Sequence, residues 1–131
     1  MTARVVGIGG IFFKARDPDA LRAWYRDHLG LAVTEWGGVT FEPTLTSPGG
    51  RPSTLAWSVF PADSRYFEPG TSPFMINYRV DDLDQVLGAL RAEGCAVDER
   101  VDSSEFGRFG WVMDPEGNRV ELWEPPLADP A

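Results

Sequence analysis

The chain begins with a nearly unbroken apolar run, RVVGIGGIFFKA, and changes its period at Asp17. Along DPDALRAWYRDHLG, the residues Leu21, Trp24, Tyr25, His28 and Leu29 recur at the spacing of one helical stripe. Asp17 is the expected N-cap, Pro18 the first helical position and Gly30 the stop. The plan then repeats. PFMINYRV alternates as a strand, and in DDLDQVLGALRAEG Asp82 caps, Gln85 is placed to close a capping box, Leu83, Val86, Leu87 and Leu90 form the stripe, and Gly94 ends it. Further strand-like runs follow each helix: VTFEP and STLAWSVF in the first half, AVDERV, GRFGWVM and NRVELWE in the second. Turn residues separate them, with TLTSPGGRPS a loop inside the first half and FPADSRYFEPGTSP a linker between halves. The pattern predicts an α+β chain forming a single domain, residues 1–131, of two β-α-β-β-(β) modules at about 4–66 and 73–126.

Composition sets the surroundings. At 131 residues, with 43% hydrophobic and 24% charged content, the chain suits one globular core. Its formal charge of −8 opposes attraction to nucleic-acid phosphates or anionic lipid, so neither nucleic acid nor membrane is expected as a partner. The single cysteine, Cys95, has no internal disulfide partner, and the apolar run before Lys14 is too short for a signal peptide or membrane span. A cytoplasmic location is the expectation. Cys95 also has no neighbouring histidine in sequence to activate it, which makes a plain small residue the simpler reading.

The order of DPDALRAWYRDHLGL, RVDDLDQVLGALRAEG and the closing DPEGNRVELWEP resembles the vicinal oxygen chelate superfamily, which includes glyoxalase I, bleomycin-resistance proteins and extradiol dioxygenases. The resemblance covers nearly the whole chain. It implies two βαβββ modules forming curled mixed sheets around a cavity, helices on the outside, and a homodimer. It does not fix an activity, because the fold hosts lyases, epimerases, oxygenases, thiol transferases and drug binders.

Superfamily members that use a metal place two ligands on each module, one near the start of its first strand and one on its last. The resemblance carries these places onto Gly10 and Trp57 in the first module and Met75 and Glu121 in the second. Only Glu121 offers a donor suited to a divalent ion. No cofactor is therefore expected, although Glu35, Glu42 and Asn77 leave an atypical metal set open. The lone histidine, His28, lies near a helix end, where packing and the helix dipole account for it.

Strand alternation indicates what shares a face with Glu121. Phe12 and Lys14 in the first strand, Met75, Asn77 and Arg79 in FMINYRV, and Trp123 beside Glu121 all fall opposite the apolar faces, with Trp57 as a further candidate. An aromatic wall with few polar groups suits a small-molecule ligand. The competing account is an ion-pair network of Lys14, Arg79 and Glu121 that satisfies the interior. Trp24 reads as core, Trp36 and Trp111 as core or pocket rim, and Tyr66 and Phe67 as linker aromatics that dock on the core or cover a cavity mouth. GIGG is not followed by the suitably spaced lysine and Ser/Thr pair of a phosphate loop, and Ser103 and Ser104 lack a histidine partner, which excludes a serine hydrolase.

Three functions remain in competition. The first is a small-molecule-binding protein without the usual metal site. The second is a glyoxalase-type lyase or isomerase with Glu121 as catalytic base and Arg79 or Lys14 steadying an enolate. The third is a dimeric scaffold with a filled interior.

Overall fold

The computed structural model describes residues 4–41 and 55–127. Glu42 and the loop TLTSPGGRPS lie outside the described residues. The elements run β1 (Val5–Ala15), α1 (Pro18–Leu29), β2 (Gly38–Phe41), β3 (Leu55–Pro61), β4 (Phe74–Val80), α2 (Leu83–Ala92), β5 (Ala96–Val97), β6 (Asp102–Ser104), β7 (Gly107–Met113) and β8 (Arg119–Glu124). Both helices start where the caps predict: the Asp17 carboxylate accepts from the Ala20 N–H and that of Asp82 from the Gln85 N–H. Gly30 closes α1 with φ 71°, a left-handed conformation that glycine adopts without a Cβ penalty.

The strands form one curled, unclosed mixed sheet of eight in the order β2-β3-β1-β4-β8-β7-β5, with β6 on β7. The first strands of the two halves, β1 and β4, pair antiparallel at its centre, while each half's closing strand runs parallel to its own first strand, β3 to β1 and β8 to β4. Packing falls into three layers. Under α2 lie Val80, Leu83, Val86, Leu87 and Leu122; under α1 lie Val39, Trp57 and Val59 with Phe13, Leu21 and Tyr25. The third cluster, Phe67, Met75 and Trp111 with Phe12, Phe60 and Phe109, fills the face away from the helices.

Three expectations change here. Trp57 does not share a face with Glu121: its ring lies 5.4 Å from Phe13 and 5.0 Å from Tyr25, in the α1 layer. Counting from the helix caps, Phe12 is the counterpart of Asn77; Phe12 pairs with Ser58 and Asn77 with Glu121, so Ser58 is the counterpart of Glu121. A shift of one residue along a strand moves a side chain to the opposite face. Trp24 is half exposed on α1 rather than core, edge-on to Tyr25 and close to His28. Alternation sets Phe74 and Ile76 with Tyr78 and Val80 on the apolar face of FMINYRV, the face that should pack under the helices, yet Phe74 and Ile76 are exposed with Ile11. The helices cover the flanks of the sheet, β1–β3 and β7–β8, and leave the outer face of its centre bare. Among the described residues, no helix is long and apolar enough to cross a membrane.

Candidate functional site

Register builds a row of inward-facing residues across five strands: Ala56, Gly10, Asn77, Glu121 and Trp111 are successive cross-strand partners. Glu121 is the polar centre of this row and is 1% exposed. A carboxyl so deeply buried needs donors. It has three: the Tyr66 hydroxyl donates to Oε2 at 2.5 Å, the Trp111 indole N–H to Oε2 at 2.9 Å, and the Asn77 amide to Oε1 at 2.6 Å. Burial pushes the Glu121 carboxyl above the ordinary glutamate range, against the pull of these donors and of the Arg119 charge. The Tyr66 phenol is pushed up as well, chiefly by burial and then by the neighbouring Glu121 charge, and stays neutral across physiological pH.

The linker crosses this face. Phe67, 1% exposed, packs with Phe60, Met75 and Trp111, and Lys14 Nζ lies 5.2 Å from the centre of its ring. Tyr66 stacks on Phe60 with centroids 5.6 Å apart and planes 11° apart, and meets Trp111 edge-on. Arg119 secures the segment: its Nη1 donates to the Tyr66 carbonyl, and its guanidinium carbon lies 4.5 Å from the Trp111 ring centroid. On the far side, Arg79 Nη1 donates to the Ile8 carbonyl at 3.4 Å, and Trp123 stacks on Phe109 at 6.1 Å and 6°. The first strand is bare where these side chains cross it. A Cβ on Gly9 would stand 2.3 Å from Asn77 Oδ1 and 2.7 Å from the Trp123 ring.

Of the expected ligand residues, Phe12, Lys14, Met75, Asn77, Arg79, Glu121 and Trp123 lie on or beside the inner face, and Trp57 does not. Only Asn77 among them bonds Glu121. Lys14 Nζ lies over the Phe67 ring and Arg79 Nη1 donates to the Ile8 carbonyl, contacts that lend the competing Lys14–Arg79–Glu121 network no support.

Trp111, expected as core or pocket rim, bonds Glu121, and Arg119 was legible but absent from the expected site. The DPEGN turn folds β7 onto β8 and sets Trp111 opposite Glu121, and alternation puts Arg119 on the face of Glu121. Tyr66 had no periodic signal, being in a linker. Beside the site, a cleft of ≈ 270 Å³ is lined by Trp111, Arg119, Pro69, Val97, Asp98 and Met113, among others, and shares two walls with it without reaching Glu121.

The donor set does not suit the divalent metal of the fold family. Gly10 brings no donor, Trp57 faces α1, and Met75 is packed among aromatic rings. Glu121 already has its oxygens engaged by protein donors, and no group of three or more His, Cys, Asp or Glu among the described residues is arranged to hold a metal.

The model of the glyoxalase-like domain matches residues 10–123. No curated protein matches the chain. Among solved structures, methylmalonyl-CoA epimerase from Mycobacterium tuberculosis is similar over 96% of this chain and 92% of that one, at 22% identity and TM-score 0.64. A variant of Streptomyces coelicolor methylmalonyl-CoA epimerase in complex with 2-nitronate-propionyl-CoA is similar over 90% and 96%, at 18% identity and TM-score 0.65. NAD-dependent benzaldehyde dehydrogenase from Legionella pneumophila is similar over 87% and 96%, at 13% identity and TM-score 0.57. At these identities the likeness is one of fold.

Proposed function

This chain belongs to the glyoxalase-like domain family of the vicinal oxygen chelate superfamily, and from that premise we propose that it binds a small molecule on its inner face, at Glu121, without a divalent metal. The observation that carries the reading is the carboxyl itself: an otherwise aromatic interior holds one buried acid, with Tyr66, Asn77 and Trp111 aimed at it. Aromatic walls with a few convergent polar groups describe a ligand site better than a core whose only role is packing. Phe12, Met75, Asn77, Glu121 and Trp111 form the site in this reading, with Lys14, Arg79 and Trp123 on its borders. The protein acts in the cytoplasm as a homodimer, its two modules at about 4–66 and 73–126. The bare outer face around Ile11, Phe74 and Ile76 supports the dimer, and a monomer mass in light scattering at micromolar concentration would count against it.

Trp111 supplies the test, because its indole N–H shares Oε2 with Tyr66. A panel of small aromatic and amphipathic molecules is titrated against tryptophan emission in the unmodified protein and in Trp111→Phe. The expected result is an emission change that the variant loses. A panel without effect, or an effect that persists in Trp111→Phe, defeats the reading.

The short contact between the Tyr66 hydroxyl and Glu121 also favours a second reading, metal-free proton transfer with Glu121 as base. The epimerases of similar fold act on a CoA thioester of a branched acid, as their names state. Exchange of the proton α to a thioester or ketone carbonyl in D2O, lost in Glu121→Gln, is the outcome this reading requires. No exchange above the solvent rate removes it.

A further inference from the structure

We propose that the inner face carries a site for a neutral hydroxylated aromatic ring, and that Tyr66 holds this site closed by occupying it with its own phenol. The inference rests on the reading of the inner face as a ligand site and names the class of ligand.

The surroundings of the Tyr66 side chain are those a phenol requires. Phe60 supplies a parallel ring at 5.6 Å and 11°, Trp111 an edge at 6.3 Å and 89°, and Glu121 an acceptor for the hydroxyl at 2.5 Å. The Arg119 guanidinium carbon lies 5.7 Å from the Tyr66 ring centroid. None of these contacts depends on the phenol being tethered to the chain.

Tyr66 is also placed to leave. It comes from the linker rather than from a strand, and it is 38% exposed where Phe67 beside it is 1%. Phe67 therefore anchors the segment while Tyr66 sits at the solvent rim. Rotation of Tyr66 outward exposes one Glu121 oxygen and one face of Phe60 without unseating Phe67. Left without that donor, a buried carboxyl favours any incoming hydroxyl that restores the bond.

Chemistry narrows the class further. An aromatic carboxylate would bring a second negative charge against Glu121, and Asp98 lines the adjoining cleft. The single Arg119 charge already acts on Glu121 and is shared with Asp98, so an incoming carboxylate would set three anions against one guanidinium. An aliphatic alcohol could use the acceptor but not the stacking surface. The cleft of ≈ 270 Å³, which shares Trp111 and Arg119 with the slot, gives room for a substituent on the ring.

The test uses the full chain with its three tyrosines labelled with ¹³C at Cζ, the Tyr66 signal being assigned by its loss in Tyr66→Phe. The probes are 4-ethylphenol and its methyl ether, 4-ethylanisole, which keeps the ring and removes the donor. The expected result is that 4-ethylphenol displaces the Tyr66 signal and that the ether binds roughly tenfold more weakly or less well still. Tyr66→Phe, whose ring stacks but cannot donate, is expected to bind the phenol roughly 10- to 100-fold more tightly than the unmodified protein. Equal binding of the two probes overturns the hydroxyl recognition and leaves the ligand site standing. Binding of neither probe, by the unmodified protein or by Tyr66→Phe, overturns the ligand class. Only if the Trp111 emission panel is also silent does the site itself fall.

Discussion

The strands β3 and β8 occupy matching places, each closing its own half by running parallel to that half's first strand, yet they bring opposite chemistry to the interior. β8 turns Glu121 inward, between Asn77 on one neighbour and Trp111 on the other. β3 turns Ser58 and Phe60 inward and sends Trp57 outward beneath α1. Both halves bring aromatic rings to the inner face, and the second alone brings the buried carboxyl. The linker joins them, since Tyr66 stacks on Phe60 and donates to Glu121 while Phe67 packs with Phe60 and Trp111. The two closing strands thus differ in what they turn inward, and of the four positions that the resemblance assigns to metal ligands only Glu121 carries a carboxyl.

The largest expected effect breaks the comparison on the β3 side. Trp57→Ala removes a ring packed against Phe13 and Tyr25, and should cost about 3–5 kcal/mol in urea unfolding. In protein kept folded at low denaturant, it should leave ligand-induced Trp111 emission unchanged. A loss of that response with the fold intact would return Trp57 to the inner face.

The β8 side comes next. Glu121→Leu leaves the Tyr66 hydroxyl, the Asn77 amide and the Trp111 indole without their acceptor. Buried donors left unpaired cost about 1–3 kcal/mol each, partly recovered by water reaching Tyr66 at the rim. A destabilisation of about 2–3 kcal/mol is expected, smaller than that of Trp57→Ala, together with complete loss of the emission response.

How much of this arrangement was legible depended on periodicity. Helices, caps and the strands β1, β4, β7 and β8 follow from repeating patterns, and alternation set Met75, Asn77, Arg79 and Glu121 on one face. Trp57 was misplaced because aligning the proline of AWSVFP with that of VELWEP sets Trp57 at the place of Glu121, one residue away from Ser58, and alternation converts one residue into the wrong face. The short strand β6 has no alternation to read, only Asp102 and two serines. Tyr66 and Phe67 stand in a segment without period, so their positions depend on tertiary contacts that no local pattern encodes.

A smaller effect sharpens the contrast through pH. Glu121's carboxyl is raised in the folded protein, so the folded state holds this proton more tightly than the unfolded chain. The stability it contributes is present below the ordinary glutamate range and is lost as pH rises through the raised value. Relative to Glu121→Gln, the unmodified protein should therefore lose melting temperature across that window, and Trp57→Phe, which keeps the carboxyl, should run parallel to the unmodified protein. Parallel profiles for the unmodified protein and Glu121→Gln would mean that donors and Arg119 outweigh burial.

The smallest expected effect concerns Lys14, whose ammonium lies over Phe67. Lys14→Met should change stability by about 0.5–1 kcal/mol and leave the pH profile of Glu121 where it was. A displaced profile would set Lys14 beside Glu121.

The central claim, that Glu121 serves a ligand through protein donors and not through a divalent ion, meets its most direct test in elemental analysis of protein purified without chelators and desalted. The account predicts no stoichiometric Ni, Zn, Fe or Mn in the unmodified chain or in Glu121→Ala. Roughly one such metal per chain, lost on Glu121→Ala, would contradict it.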